Sequence, residues 1–410
     1  MNRGLVITVG TGNDHKDIAH ALRYSIKFQK PDCLLFLVSA QSEKETLPLI
    51  LQEEVIAAIP REVKAIDEIF DVETLCRAYL KIIKEWMQGN RLLSEHIMVD
   101  YTSGTKPMSS ALLYVSIDME LDSLSYIMGK RDSAGRVISG TERLFNLKPL
   151  QLQADKNLRK SKEFFNQYQF AASLDLLKAI PDTLEEDLMN KKRFLLLLSE
   201  AYLAWDLFQL DKAFRIFSGK KEFNKIAIEW GIHNQLDVHL EYLHNEINEP
   251  YTLHRMADLM NNAQRRIMEK RYDDAIGRIY RAYEFLAQLR LFLEFQKDSS
   301  CLKIQDIPTE LVPKYEGRGG RVYPGLYGSF ELLRVLNDPL GKEYLDAYHQ
   351  EDSSLRKYLE QRNHSILAHG FQPIKVETSE AMYAQLVTFL NRYYPDWERL
   401  AKQAKFPGIV

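Results

Sequence analysis

The sequence has no apolar run long enough to cross a membrane: its longest uninterrupted stretches are residues 34–38 and 194–198, against the ~20 residues a bilayer requires. Cysteine is scarce. Cys33, Cys76 and Cys301 are far apart and form no C-x-x-C pair, which argues against a zinc cage and a disulfide framework and fits a reducing cytosol. Charge of one sign is lacking too: 54 Lys plus Arg stand against 57 Asp plus Glu, a formal net charge of −3. Bulk charge is therefore not how this chain would hold nucleic acid, although a local basic site remains open. No basic segment followed by an apolar core and a small-residue cleavage site opens the chain, so a soluble, cytoplasmic protein without membrane partners is expected. What is present, 45% hydrophobic and 27% charged residues over 410 positions, is the composition of a folded protein of two or three domains.

From residue 5 to about 147, short apolar runs alternate with longer amphipathic stretches, the pattern of strands joined by crossover helices in a mostly parallel sheet. Strands are expected at 5–9, 33–39, 63–69, 96–101 and 124–128, followed by a turn at 132–135 and an extended run over 137–147. After Pro149 the pattern becomes helix upon helix. The fold class is thus α/β plus all-α, with boundaries at 1–148, 149–247 and 248–410 and a linker at 245–250. Phe165-Asn166-Gln167-Tyr168 followed by Ala172, and Trp205-Asp206-Leu207-Phe208 followed by Ala213, read either as one helical hairpin repeated or as coincidence between two amphipathic helices. A long helix is expected over 265–293, a mobile basic loop at 315–321, and last helices over 351–367 and 379–394, the second stopped by Pro395.

Two loops follow strands directly: Gly10-Thr11-Gly12-Asn13, and Thr102-Ser103-Gly104-Thr105-Lys106-Pro107. At the carboxyl edge of an open α/β sheet such loops bind ligands, and small residues, hydroxyls and a following helix N-terminus suit phosphates. They would equally serve as tight strand-to-helix connections. Neither is a named nucleotide motif. His15 stands where a dinucleotide fingerprint wants its third glycine, and Pro107 replaces the hydroxyl residue that a P-loop needs for magnesium.

The other constellation is Gln361-Arg362-Asn363-His364-Ser365-Ile366-Leu367-Ala368-His369-Gly370. In a regular helix Arg362 and His369 would share one face roughly 10 Å apart along the axis, which is long for one phosphate. Either Gly370 marks an irregular helix end that brings His369 inward, or two copies pool their groups across a dimer axis. His364 would point elsewhere. An Arg and a His without a carboxylate cluster suit metal-independent RNA cleavage, His moving protons near neutral pH and Arg stabilising charge on the phosphorane. From His254 to Arg290, eight Lys plus Arg against five acids form either a weak RNA-access surface or a solvated helix face.

The Arg362-Asn363 … His369-Gly370 run, with Tyr272-Asp273-Asp274-Ala275 … Arg278 … Tyr280-Arg281-Ala282 … Glu284 upstream, resembles a HEPN ribonuclease domain. Gly10-Thr11-Gly12-Asn13 and Asp100-Tyr101-Thr102-Ser103-Gly104-Thr105-Lys106-Pro107-Met108 resemble the Rossmann-like CARF sensor domain. Together they resemble the CARF–HEPN accessory ribonucleases of type III CRISPR antiviral defence, of the Csm and Csx types. The resemblance implies a CARF sensor, a helical spacer and a C-terminal HEPN domain. It implies Arg362, Asn363 and His369 as catalytic residues, with six intervening positions at the upper end of the family's range. It implies Gly10, Thr11, Gly12, Asn13, Thr102, Ser103, Gly104, Thr105 and Lys106 as the loops that bind a cyclic oligoadenylate. It further implies a homodimer, single-stranded RNA as substrate, products with a 2′,3′-cyclic phosphate, no cofactor and no metal, the cyclic ligand being an allosteric activator. The alternative is a non-catalytic sensor or regulator whose HEPN domain only dimerises or binds RNA. Ring size, base preference and cleavage of the activator by the first domain stay open.

Overall fold

The structure is a computed structural model that describes residues 2–12, 14–67, 70–130, 140–315 and 320–409. It divides into two compact units, one of residues 1–156 with 181–188, the other of 157–180 with 189–410.

The first unit is built on a six-stranded sheet: β1 Gly4–Val9, β2 Cys33–Val38, β3 Arg61–Ala65, β4 Ile97–Asp100, β5 Ser123–Met128 and β6 Arg143–Leu147. The strand order is β3-β2-β1-β4-β5-β6, all neighbours parallel except the last pair. Side chains alternate between the faces of the central strands. Leu5, Ile7 and Val9 pack with Leu22 and Ile26 of helix α1 (His15–Gln29), whereas Val6 packs with Tyr79 and Ile83 of a later crossover helix. Both faces are therefore covered, which is why β1 and β2 are buried along their whole length and, Thr8 apart, apolar. The edge strands β3 and β6, with sequences REVKA and RLFNL, are half-buried to exposed.

The remaining crossovers are three short helices, α2 Ala40–Glu45, α3 Leu47–Ile50 and α4 Glu54–Ala57, then α5 Val72–Asn90 and α6 Lys106–Asp118. Two expected strands differ in extent. Ser39 leaves β2 because it caps α2 in a capping box with Ser42, and the 63–69 strand is found at Arg61–Ala65, where Leu34 to Val38 supply its partners. Residues 68–69, the expected turn at 132–135 and the start of the run over 137–147 lie outside the described residues; that run's described strand is β6.

In the second part of the chain, α7 Leu150–Asn166, α8 Phe170–Ala179, α9 Glu186–Asp206, α10 Leu210–Ser218, α11 Asn224–Glu229 and α12 His233–Ile247 follow one another. The α7–α8 and α9–α10 turns are the same turn. Tyr168 and Phe208 sit at φ 62° and 56°, and the next residues, Gln169 and Gln209, donate their N–H to the carbonyls of Phe164 and Ala204 at 2.9 and 2.8 Å. The repeat is a structural one. The first half of the expected linker is helical, since α12 runs to Ile247.

The same turn recurs where an unbroken helix was expected over 265–293. There α13 Leu253–Met268 and α14 Tyr272–Phe295 are separate helices; Lys270 stands at φ 60°, and Arg271 N–H reaches the Arg266 carbonyl at 2.9 Å. No glycine announces this break. Then come α15 Val312–Tyr315, α16 Gly325–Val335, α17 Pro339–His349, α18 Ser354–Asn363, α19 Val376–Tyr393 and α20 Trp397–Gln403. Much of α14 lies in the apolar core here, with Ile276, Ile279, Tyr283 and Leu286 against Phe330, Tyr344, Leu386 and Phe389. Of the expected loop at 315–321, residues 316–319 lie outside the described residues, Tyr315 is buried, and Arg321 bridges Lys303. Among the described residues no helix is long and apolar enough to cross a membrane.

Candidate functional site

In the first unit, strand order reverses between β1 and β4, and the loops after these two neighbours leave the same edge of the sheet. That is where open α/β sheets bind ligands. The loops touch through backbone: a Cβ on Gly10 would lie 2.5 Å from the Gly104 nitrogen, and Gly104 itself holds φ +108°. Glycine is needed at both positions, for close approach at one and for conformation at the other.

Ser103 is buried and fastens the loops together. Its hydroxyl donates to the Thr8 carbonyl at 2.8 Å and accepts the Gly10 N–H at 3.1 Å, while the Thr8 hydroxyl donates to the Ser103 carbonyl at 2.5 Å. Thr102 is engaged as well, its hydroxyl accepting the Ile127 N–H at 2.9 Å. Thr105 caps α6 by accepting from the Met108 N–H at 3.3 Å. Thr11 is half-buried, Gly12 is exposed at φ +59°, and Lys106 is exposed as the first residue of α6. Asn13 lies outside the described residues. What these loops turn outward is largely backbone, the N-terminus of α6 and the Lys106 ammonium, a donor set that suits an anion.

Beneath them Asp100 ends β4, fully buried. It accepts from the Thr102 N–H at 2.8 Å and from the Ser25 hydroxyl, and burial pushes its carboxyl above the ordinary carboxylate range despite these bonds.

In the second unit, the helix expected over 351–367 ends at Asn363, and the chain folds back on itself. His369 N–H donates to the Asn363 carbonyl at 3.0 Å, Gly370 N–H to the Ser365 carbonyl at 3.2 Å, and Gln372 N–H to the His364 carbonyl at 2.9 Å. A Cβ on Gly370 would overlap the His364 carbonyl, so the reversal demands glycine. Of the two arrangements the sequence left open, the irregular helix end is present within one chain, and Arg362 and His369 are not spaced along a regular axis. Asn363, His364 and His369 are exposed, whereas Ser365 is buried.

Arg362 is half-buried; its Nη1 donates to Asn363 Oδ1 at 3.2 Å, and its guanidinium carbon lies 4.1 Å from the centre of the Tyr280 ring on α14. Glu284, one turn further along α14, has its carboxyl raised by burial, against the lowering influence of Arg281 and Arg362. Tyr280 is the neighbour that sequence reasoning did not single out as a partner of Arg362.

Half of the eight basic residues over 254–290 are held in ion pairs within the fold. Arg265 and Arg266 are buried on Asp206 at 2.8 and 2.7 Å, Arg290 pairs with Asp338 at 2.8 Å, and Arg278 binds Asp274 at 3.2 Å and Asn262. These ion pairs tie α9, α13, α14 and the start of α17 together. Their charge is spent on folding.

The architecture is that of a CARF–HEPN protein, an α/β sheet with loops at its switch point followed by helical domains that carry an Arg–Asn…His turn. A model of the Csm6 6H domain matches residues 153–247, and a model of the Csm6 HEPN domain matches residues 244–394. Together the two span more than half of the chain, which belongs to the Csm6 family of type III CRISPR accessory ribonucleases. Among solved structures, Enterococcus italicus Csm6 bound to cyclic hexa-2′-fluoro-hexa-dAMP is similar in fold, with a TM-score of 0.52 at 12% identity over 99% of each chain. No curated protein matches.

Proposed function

We propose that the protein is an endoribonuclease that cleaves single-stranded RNA without a metal and is switched on by a cyclic oligoadenylate. The observation that carries this reading is the closed turn over 362–370, a glycine-dependent reversal in which the His369 N–H bonds the Asn363 carbonyl and the Arg362 side chain bonds that of Asn363. In the reaction a base removes the proton of an RNA 2′-hydroxyl, the 2′ oxygen attacks the adjacent phosphorus, and the bond to the 5′ oxygen breaks as that oxygen gains a proton. The products are a 2′,3′-cyclic phosphate and a 5′-hydroxyl. His369 is suited to the proton transfers, Arg362 to the charge growing on the phosphorane, and Asn363 to holding the guanidinium.

The functional unit is a cytoplasmic homodimer whose paired turns form one composite site. The cyclic ligand sits on Gly10, Thr11, Gly12, Asn13, Thr102, Gly104, Thr105 and Lys106 of both copies, and Ser103 holds those loops together. The similarity to a Csm6 structure with a cyclic hexanucleotide supports this class of ligand. With the Thr102 and Thr105 hydroxyls bonded to backbone, Thr11 and Lys106 are the side chains best placed to act on a ribose hydroxyl if the sensor also cleaves its activator.

The test is cleavage of a labelled single-stranded RNA in EDTA, with cyclic tetra-adenylate, cyclic hexa-adenylate or neither, together with analysis of the product ends. The reading expects ring-dependent cleavage and cyclic-phosphate ends. RNA left intact with both rings, or cleavage abolished by EDTA, would overturn it.

A further inference from the structure

A guanidinium that must receive a phosphate has to be held still without spending its donors. A carboxylate clamp would do the first and fail the second, because it neutralises the charge and occupies the same N–H edge. The surroundings of Arg362 solve this differently. Its guanidinium carbon stands 4.1 Å over the face of Tyr280, and its Nε is buried with no hydrogen-bond partner among the described residues. Its Nη1 meets only the neutral amide oxygen of Asn363, at 3.2 Å. The carboxylate on the same face of α14, Glu284, acts on Arg362 through space without an ion pair to it and lies 3.7 Å from Arg281, which also donates to Gln288 at 2.9 Å.

We propose that Tyr280 is a positioning residue for Arg362: its ring face fixes the plane of the guanidinium by a cation–π contact and leaves Nη2 free for an RNA phosphate. This rests on the reading that Arg362 acts on RNA. The contact is one of surface and charge, so it needs the ring and not the hydroxyl. Tyr280 belongs to α14, whose other face is locked in the apolar core, so the platform is rigid while Arg362 arrives on the last turn of α18.

The experiment compares Tyr280→Phe and Tyr280→Leu in the full-length protein, with two readouts. The first is the Arg362 side-chain Nε–H resonance in arginine-labelled protein, assigned by its loss in Arg362→Lys. A guanidinium over a ring face is shifted upfield, so the shift should persist in Tyr280→Phe and vanish in Tyr280→Leu. The second is activated RNA cleavage, where Tyr280→Leu should lose about tenfold in kcat with little change in KM, and Tyr280→Phe should stay within about twofold of the parent. Thermal unfolding of each variant guards against loss of the fold. An Arg362 resonance unmoved by Tyr280→Leu, or Tyr280→Phe as impaired as Tyr280→Leu, would overturn the inference. A parent that leaves RNA intact would instead sink the nuclease reading, and the resonance would still decide whether Tyr280 holds Arg362.

Discussion

Both candidate sites are turns that only glycine can close, yet they expose opposite things. At the sheet edge, Gly10 and Gly104 bring two loops into backbone contact, the Ser103 hydroxyl fastens them, and the hydroxyls of Thr102 and Thr105 bond backbone N–H groups of β5 and α6. At the end of α18, Gly370 closes a reversal whose backbone bonds are satisfied internally, and Asn363, His364 and His369 are left outside. Among the described residues the first site offers mainly backbone, with Thr11 and one lysine; the second offers side chains. A loop that recognises anions can work with N–H groups and a helix N-terminus, whereas chemistry that moves protons needs titratable groups.

That contrast can be broken most severely at Gly370. Gly370→Ala puts a methyl group into the His364 carbonyl, so the turn must open and displace Arg362 relative to His369. Misplacement on the scale of 1 Å costs about a hundredfold in rate, and activated RNA cleavage should fall by at least that much while the bulk of the α14 core still melts cooperatively. A Gly370→Ala protein with parental cleavage would show that the reversal is not needed.

At the other site Lys106→Glu places a negative charge at the N-terminus of α6. Loss of a charge-assisted contact should raise the concentration of cyclic ligand needed for half-activation by about tenfold or more. By reciprocal linkage weaker binding of the activator also weakens activation of the nuclease, while unstimulated cleavage stays unchanged; an unshifted activation curve would place Lys106 outside the ligand site.

Ser103→Ala should act on stability instead. It strands the buried Gly10 N–H and a bond to the Thr8 carbonyl, a loss of about 1–3 kcal/mol in denaturant unfolding. The matching change on the exposed side of the other turn, Asn363→Ala, should leave unfolding almost unaltered.

Asp100 gives the smallest effect, with a definite sign. Burial raises its carboxyl above the ordinary 3.8, so the stability tied to its protonated form is present below that value and lost as pH rises through the raised one. Asp100→Asn escapes the loss. Its melting temperature relative to the parent should therefore climb as pH goes from acid toward neutral, and a constant difference would mean that Asp100 does not titrate differently on folding.

How far these regions could be read from residues alone follows the same physics. The central strands were legible because a parallel strand covered on both faces must be apolar along its length, and the small residues after them marked the loops. Nothing local announced how Thr102 and Ser103 are engaged, because their partners, Ile127, Thr8 and Gly10, come from other strands and loops. The repeated hairpins were visible as a pattern. The break between α13 and α14 was hidden, because Lys270 takes a left-handed conformation without glycine or proline. The end of α18 was legible only in part: Gly370 marked an irregular helix end as one of two alternatives, but it comes after the reversal it permits, so the helix was expected to run on to 367. Tyr280 was seen on its helix, but its place under Arg362 depends on how α14 and α18 pack, which no spacing within either helix reveals.

The most direct measurement is activator-stimulated RNA cleavage by His369→Ala and His364→Ala beside the parent, with binding of the cyclic ligand measured on the same preparations. Losing a group that transfers protons should cost His369→Ala about 10²- to 10⁴-fold, while ligand binding stays parental and His364→Ala cleaves within about threefold of the parent. Near-parental cleavage by His369→Ala, or loss of cleavage in His364→Ala alone, would contradict the assignment of His369 to the chemistry.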